Sequence, residues 1–301
     1  MRRSVTGRPV VFGLCITLLA LLAQFSPALA QAPASTLERI RREGTLRIGY
    51  GQTPPFSYRM PDGTVTGYSI DICLRVADVL KRQLGLERLE IAYVRRTAID
   101  RIQLLNDGAY DLECEASTNT QERRRSVAFA LGHFFTATRF VALAKSDLRA
   151  IDDLKGRSLA VALGTVNIGQ VGRLNRDRGL QASIVTAATI SDAFDLVTSG
   201  RASAFAMDDI LLEVMVKATG RPEAYQISSE PVSDVLPYGF MMRRNDTAFH
   251  DAVNAALRRI YASPDMGQIY DRWFRAALPG LNLRLDVPMG PQLSAYFASF
   301  R

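Results

Sequence analysis

Histidine, cysteine and tryptophan are scarce in this chain of 301 residues, with two, three and one of them. His133 and His250 stand far apart and have no ligand partners at metal spacing. Neither a zinc site nor a histidine-based triad is supported, and no metal or cofactor is expected. Long apolar runs are missing beyond the N-terminus, so no later stretch is expected to span a bilayer. Blocks of like charge are missing too. The formal charge is +7, but the basic residues are scattered, so there is no stripe for nucleic acid.

What is present begins with Arg2, Arg3 and Arg8, an apolar run from Val10 to Phe25, and the small-residue signal Ala28-Leu29-Ala30. That order predicts a secretory signal peptide over residues 1–30, cleaved after Ala30, and a periplasmic mature protein. The apolar core is short for a retained anchor. Cys15 lacks the small residues a lipidation site wants before it, and Arg2-Arg3 lacks a twin-arginine context. Removing the signal leaves a charge of +4 and about 270 residues, room for two modest lobes. A mildly basic cleft for an anionic or zwitterionic ligand is compatible with that charge. Of the two remaining cysteines, Cys73 reads as mid-helix and Cys114 as strand. An oxidising compartment permits a disulfide, and two buried apolar fillers are the alternative.

Hydrophobic periodicity gives strands at Leu46–Tyr50, Leu89–Val94 and Asp111–Cys114, separated by helices at Tyr68–Leu84 and Ile99–Asn106. A hairpin turns at Pro61-Asp62-Gly63. The β-α-β-α-β order predicts a mostly parallel sheet covered by helices. A second such series starts near Ser158 and ends in a strand at Ala204–Met207, followed by Asp208-Asp209. Further strands are expected at Thr138–Lys145 and Leu236–Arg243, and late helices at Thr247–Ala262 and Asp265–Arg275. The spacing of Asp100, Leu104, Leu105, Gly108 and Leu112 returns in Asp192, Leu196, Val197, Gly200 and Ala204, which suggests two lobes of similar build. Trp273 reads as packing.

One stretch looks chemically distinctive. Glu113 to Arg125, E-C-E-A-S-T-N-T-Q-E-R-R-R, leads a strand into small hydroxyl residues and then a helix start bearing Arg123. Short side chains at a strand's C-terminal edge leave backbone groups open to a ligand, and an arginine fork suits a carboxylate. By itself the stretch reads as a helix cap, with Asn119 or Thr120 at the N-cap.

The segments G-T-L-R-I-G from Gly44, P-P-F-S-Y from Pro54, G-Y-S-I-D from Gly67, R-I-Q-L-L-N-D-G-A-Y-D from Arg101, S-T-N-T-Q-E-R from Ser117, D-L-K-G from Asp153, M-D-D from Met207 and W-F-R from Trp273 occur in order. Behind a signal peptide, this chain resembles the periplasmic polar-amino-acid-binding proteins of ABC importers, the bacterial extracellular solute-binding family 3 type. It most resembles their glutamate/aspartate-binding branch. The resemblance implies a two-lobed α/β periplasmic-binding fold of type II with two hinge strands, near Thr138–Leu143 and Leu236–Met241. Lobe 1 would comprise 31–140 and 238–301, and lobe 2 would comprise 141–237. The implied partners are an α-amino acid and a membrane permease, the protein being a monomer and not an enzyme.

The resemblance also assigns roles. Arg123 would hold the α-carboxylate with the N–H and hydroxyl of Thr118 and the N–H of Val166, and Ser117 and Thr165 would be among the ligand-binding residues. The carbonyl of Ala116 and the carboxylate of Asp208 would hold the α-ammonium, though Asp208 also reads as an N-cap. Arg101 stands where the glutamate/aspartate binders place an arginine for the distal carboxylate; its alternative is a solvated arginine paired with Asp100 or Asp107. Thr53 lies in the loop that in that branch carries an arginine. Ile190 replaces a histidine, Ala98 a serine, and Glu115 a glycine. One cation is kept where two are expected, and Glu115 either adds an acid to the cleft or points outward. As a cleft acid, Glu115 also suggests an alternative, an enzyme like the periplasmic cyclohexadienyl or arogenate dehydratases that share this fold.

Overall fold

The computed structural model describes residues 35–301, so the expected signal peptide and its cleavage site lie outside the described residues. Ser35 and Glu38 form a capping box that opens α1 (Thr36–Glu43), and Gly44, at φ 64°, closes it. β1 (Thr45–Tyr50) comes next, then the short hairpin of β2 (Tyr58–Arg59) and β3 (Val65–Thr66). The amphipathic α2 (Tyr68–Gln83) carries the chain to β4 (Glu90–Arg95), parallel to β1. α3 (Arg101–Asn106) then leads to β5 (Leu112–Glu113), on the other side of β1. β6 (Val127–Thr136) is a ten-residue strand not expected from the sequence, ending two residues before the strand expected at Thr138–Lys145.

The second series is β7 (Thr138–Leu143), β8 (Ser158–Ala162), α4 (Asn167–Asp177), β9 (Ser183–Ala187), α5 (Ile190–Thr198), β10 (Ala204–Asp208), α6 (Asp209–Ala218) and β11 (Tyr225–Ile227). β12 (Leu236–Arg243), α7 (Thr247–Ala262), α8 (Asp265–Phe274) and α9 (Pro291–Ala298) complete the chain. Periodicity gives no sign of α9, which opens with Pro at its first position, where the missing N–H costs nothing.

The strands form two sheets of five, ordered β4-β1-β5-β12-β6 and β9-β8-β10-β7-β11. The two orders are equivalent strand for strand. α3 with β5 corresponds to α5 with β10, and Gly108 and Gly200 both adopt positive φ after the helix. The echo in the sequence is therefore a repeated βαβαβ unit. β7 pairs only within the second sheet and β12 only within the first. The chain thus passes between sheets at Ala137 and again between Ile227 and Leu236, just ahead of the expected crossovers. A further tie comes from the C-terminal segment, where Lys217 of α6 donates to the Leu285 carbonyl.

Cys73 of α2 is disulfide-bonded to Cys114, which settles the alternative in favour of pairing. The bridge spans 41 residues of sequence, a loop whose closure in the unfolded chain is worth about 3–4 kcal/mol on chain-entropy grounds. It also pins the segment just after β5 to the main helix of the first lobe. Beneath it lies an aromatic cluster in which His133 stacks on Phe240 at 4.4 Å and Phe56 meets Tyr238 at 5.2 Å. Trp273 is buried there, edge-on to Tyr58, and donates to Asp71, so it does pack.

Candidate functional site

Both sheets aim the C-terminal ends of their parallel strands at one crevice, the usual ligand position in an open α/β sheet. Thr53, Ala98, Arg101, Glu115, Ala116, Thr118, Arg123, Thr165, Val166, Ile190 and Asp208 all border a single cavity of about 30 Å³ there. Ser117 does not. It is buried one layer behind, with its hydroxyl accepting from Arg101 Nη1 at 3.4 Å.

The distinctive stretch contains a single 3-10 turn, Arg123–Arg125, rather than a full helix. The turn's N-cap position falls at Glu122 and not at Asn119 or Thr120, although the Thr120 hydroxyl accepts from the Arg123 N–H at 3.2 Å. Thr118 bridges to Tyr238 through the Asn119 N–H and the Ser117 carbonyl, which leaves the Thr118 amide out of the pairing. Arg123 is buried and donates to the Thr118 carbonyl at 3.0 Å and to the Gly164 carbonyl at 3.3 Å. Arg101 is buried as well, and its Nη2 donates to the same Gly164 carbonyl at 2.7 Å. The solvated reading of Arg101 is thereby overturned, since it contacts neither Asp100 nor Asp107 as an ion pair. Burial lowers the pKa of both guanidiniums, Arg123 to about 9, because neither has a carboxylate close enough to offset desolvation.

Gly164 belongs to the second lobe and has φ +75°, a conformation few other residues adopt. A side chain there would collide with the Ala98 carbonyl of the first lobe. The lobes therefore meet backbone to backbone at this turn, and both arginines bond across the junction.

Asp208 ends β10 and is buried. It occupies the N-cap position of α6 but makes no capping bond, so the cap reading fails; Asp209 accepts from the Ile210 N–H instead. Asp208 Oδ2 accepts from the Tyr238 hydroxyl at 2.5 Å and Oδ1 from Asn167 Nδ2 at 2.9 Å. Burial raises its pKa, partly offset by those two bonds. Asn167 opens α4, is fully buried, and has an Oδ1 without a hydrogen-bond partner. Among the described residues no cation lies within ion-pair distance of Asp208, and no carboxylate within that distance of Arg123.

The residue most clearly missed is Arg96. Its neighbour Arg95 pairs with Tyr50, and Glu113 pairs with Gly49 across the same strand. Continuing both registers puts Arg96, Gly51 and Glu115 at one level on three adjacent strand ends. Gly51 lies between the other two and has no side chain. A Cβ on it would stand 2.6 Å from Glu115 Oε1 and 3.1 Å from Arg96 Nη1. Arg96 Nη2 is 2.7 Å from Glu113 Oε1 and 2.7 Å from Glu115 Oε2. Two oxygens crowd one nitrogen, so these contacts are ion pairs more than directed hydrogen bonds. Burial alone would lower the Arg96 pKa, but Glu113 and Glu115 outweigh it and hold the guanidinium charged. The count of cations is corrected accordingly: Arg96 joins Arg101, though it arrives already paired. Glu115 points inward, 2% exposed. Asn167, Met207 and Leu211 also line the cavity; of these only Met207 stood in a segment marked in the sequence, M-D-D.

Residues 46–276 match the model of the bacterial extracellular solute-binding proteins, family 3. The chain belongs to that family. It is 34% identical over 276 residues to an L-glutamate/L-aspartate-binding protein of Pseudomonas aeruginosa, covering 91% of each chain. It is 30% identical over 291 residues to a glutamate/aspartate import solute-binding protein of Escherichia coli K12, covering 96% of each. Among solved structures, it resembles an ancestral amino-acid-binding protein described as a precursor of cyclohexadienyl dehydratase, with TM-score 0.68 and 26% identity over 80% of this chain and 100% of that one. These relatives are binding proteins, and the chain is a solute-binding protein with the family's two-lobed fold, not an enzyme. Glu115 Oε2 accepts from the Ala116 N–H at 2.7 Å and lies 2.7 Å from Arg96 Nη2.

Proposed function

We propose that this protein is the periplasmic binding component of an ABC importer and that it closes its two lobes on an α-amino acid, acidic or polar, for delivery to a membrane permease. It would act as a monomer, exported by a signal peptide cleaved after Ala30. The observation that carries the reading is a pair of buried, opposite and mutually unpaired charges, Arg123 and Asp208, bordering one cavity. Burying an unpaired charge is costly, and a zwitterion satisfies both at once. Its carboxylate would replace the neutral Gly164 carbonyl as acceptor for Arg123. Its ammonium would donate to Asp208, Asn167 Oδ1 and the Ala116 carbonyl. The Val166 N–H, at the start of α4, adds a favourable helix terminus for the carboxylate.

The cavity holds about 30 Å³, room for about two water molecules. Entry of an amino acid therefore requires the lobes to part, hinging at Ala137 and between Ile227 and Leu236. The roles at Thr118, Thr165 and Arg101 follow from their position around the same cavity, Thr118 and Arg101 from the first lobe and Thr165 from the second. A thermal-shift screen of the amino acids and common opines tests the reading. At least one α-amino acid should raise the melting temperature, since a ligand at a hundred times its Kd adds about 2.7 kcal/mol. Arg123→Ala should abolish the shift. A screen in which no amino acid shifts the melting temperature would overturn the assignment.

A further inference from the structure

The cleft as a whole holds charges whose balance bears on the ligand's side chain. Arg96, Arg101 and Arg123 face Glu113, Glu115 and Asp208, all six buried. The three positive and three negative groups cancel. An amino acid's own α-groups also cancel, so the only net charge a ligand can bring is on its side chain. Glu115 Oε1 is buried with no hydrogen-bond partner, and Arg101 Nε is likewise without one. Both residues line the cavity. Two residues of the cavity wall thus each keep one buried polar atom without a partner, an acceptor on Glu115 and a donor on Arg101.

Building on the amino-acid-binding reading, we propose that the cleft selects a neutral carboxamide side chain, that of glutamine or asparagine, over the corresponding carboxylates, with Glu115 Oε1 accepting from the amide NH2 and Arg101 donating to the amide oxygen. A side-chain carboxylate satisfies Arg101 but sets a second acceptor against Glu115, and two anions in a water-poor site repel. A cationic side chain satisfies Glu115 but faces Arg101 and Arg96. An apolar side chain leaves both buried groups unsatisfied. Only a side chain with a donor and an acceptor at one end meets both. Gly51 makes this possible, because its missing side chain leaves Glu115 and Arg96 room to meet over the strand. With Oε2 held by Arg96 and the Ala116 N–H, Oε1 is left for the ligand.

The test is calorimetric titration of the full chain, stripped of co-purified ligand in denaturant and refolded, with glutamine, asparagine, glutamate and aspartate. One of the amides should bind about tenfold or more tighter than either acid. Glu115→Gln, which removes the charge and keeps the shape, should move that ratio about tenfold or more toward the acids. Glutamate or aspartate binding as tightly as the amides to the unmodified protein overturns the proposal, as does an unchanged ratio in the variant. The unmodified protein's ratio decides the matter even if Glu115→Gln fails to fold. If a different amino acid binds and Arg123→Ala abolishes it, only this side-chain inference falls. If no α-amino acid binds at all, the parent reading falls with it.

Discussion

Asp111 and Glu115 lie four residues apart on either side of β5, both buried and both held by arginine, and they end in different conditions. Asp111 accepts from the Arg47 N–H at 2.9 Å, from Arg39, and from Arg243 at 3.4 Å. Both of its oxygens are engaged. Glu115 engages Oε2 and leaves Oε1 without a partner. The difference arises from which end of the strand each occupies. Asp111 stands at the N-terminal edge, where α1 and β12 close over it with two arginines. Glu115 stands at the C-terminal edge, where the second lobe and the cavity begin. A satisfied buried carboxylate is architecture, and a half-satisfied one at the crevice is available to a ligand.

Removing the satisfied carboxylate should produce the largest loss of stability. Asp111→Ala removes the anion shared by Arg39 and Arg243, leaving Arg39 only its pair with Glu43 and Arg243 none, although both arginines retain some contact with solvent. A loss of about 3 kcal/mol in denaturant unfolding is expected, with the ratio of amide to acid binding unchanged. A shift in that ratio would mean the two carboxylates are not separable.

A second effect lies directly under Glu115. His133 is fully buried, its Nε2 is 3.1 Å from the Glu115 carbonyl, and its Nδ1 has no partner. Burial pushes its pKa down to about 3 from 6.5. The folded state holds the neutral ring, so between those values the unfolded chain binds the proton more readily. Stability therefore falls as pH drops from 6.5 toward 3. At pH 5 the loss from this group is about 2 kcal/mol. His133→Phe should lower stability at pH 7 by about 1 kcal/mol through the lost hydrogen bond, yet show a shallower decline between pH 7 and pH 5. Parallel declines in the two proteins would show that His133 does not carry the acid sensitivity.

The sequence revealed the fold better than it revealed the far end of the site. Helix periodicity and the repeated helix-glycine-strand spacing led to two similar lobes, because both are local signals. β6 was missed although the strand after it was expected from Thr138, because Gly132 and His133 interrupt its apolar run. Nothing local marks where one strand leaves its sheet and another joins the next. Thr118, Arg123, Val166 and Asp208 were named through the family resemblance, because each stands in or beside a segment that carries it, whereas read alone Asp208 and the Glu113–Arg125 stretch looked like helix caps. Arg96 could not, because it reaches Glu115 only through the registers of β4 and β5 on β1. The loop at Gly51 looked like the loss of an arginine. The structure shows a glycine that lets an arginine from the neighbouring strand take part.

That glycine gives the smallest effect on stability and the sharpest test of the comparison. Gly51 has no positive φ, so alanine is conformationally acceptable there. The added carbon would press on Glu115 Oε1 and Arg96 Nη1, both at the ends of flexible side chains. Glu115 Oε1 must move by most of an ångström to reach ordinary contact, but it is the end of a side chain and not backbone, so Gly51→Ala should cost only about 1 kcal/mol. The displacement nevertheless falls on the one oxygen left for a ligand. The ratio of amide to acid binding should therefore change about threefold or more, while Asp111→Ala leaves it alone. If Gly51→Ala instead destabilises as strongly as Asp111→Ala and the ratio holds, Glu115 is architecture like Asp111, and the distinction between the two ends of the strand is lost.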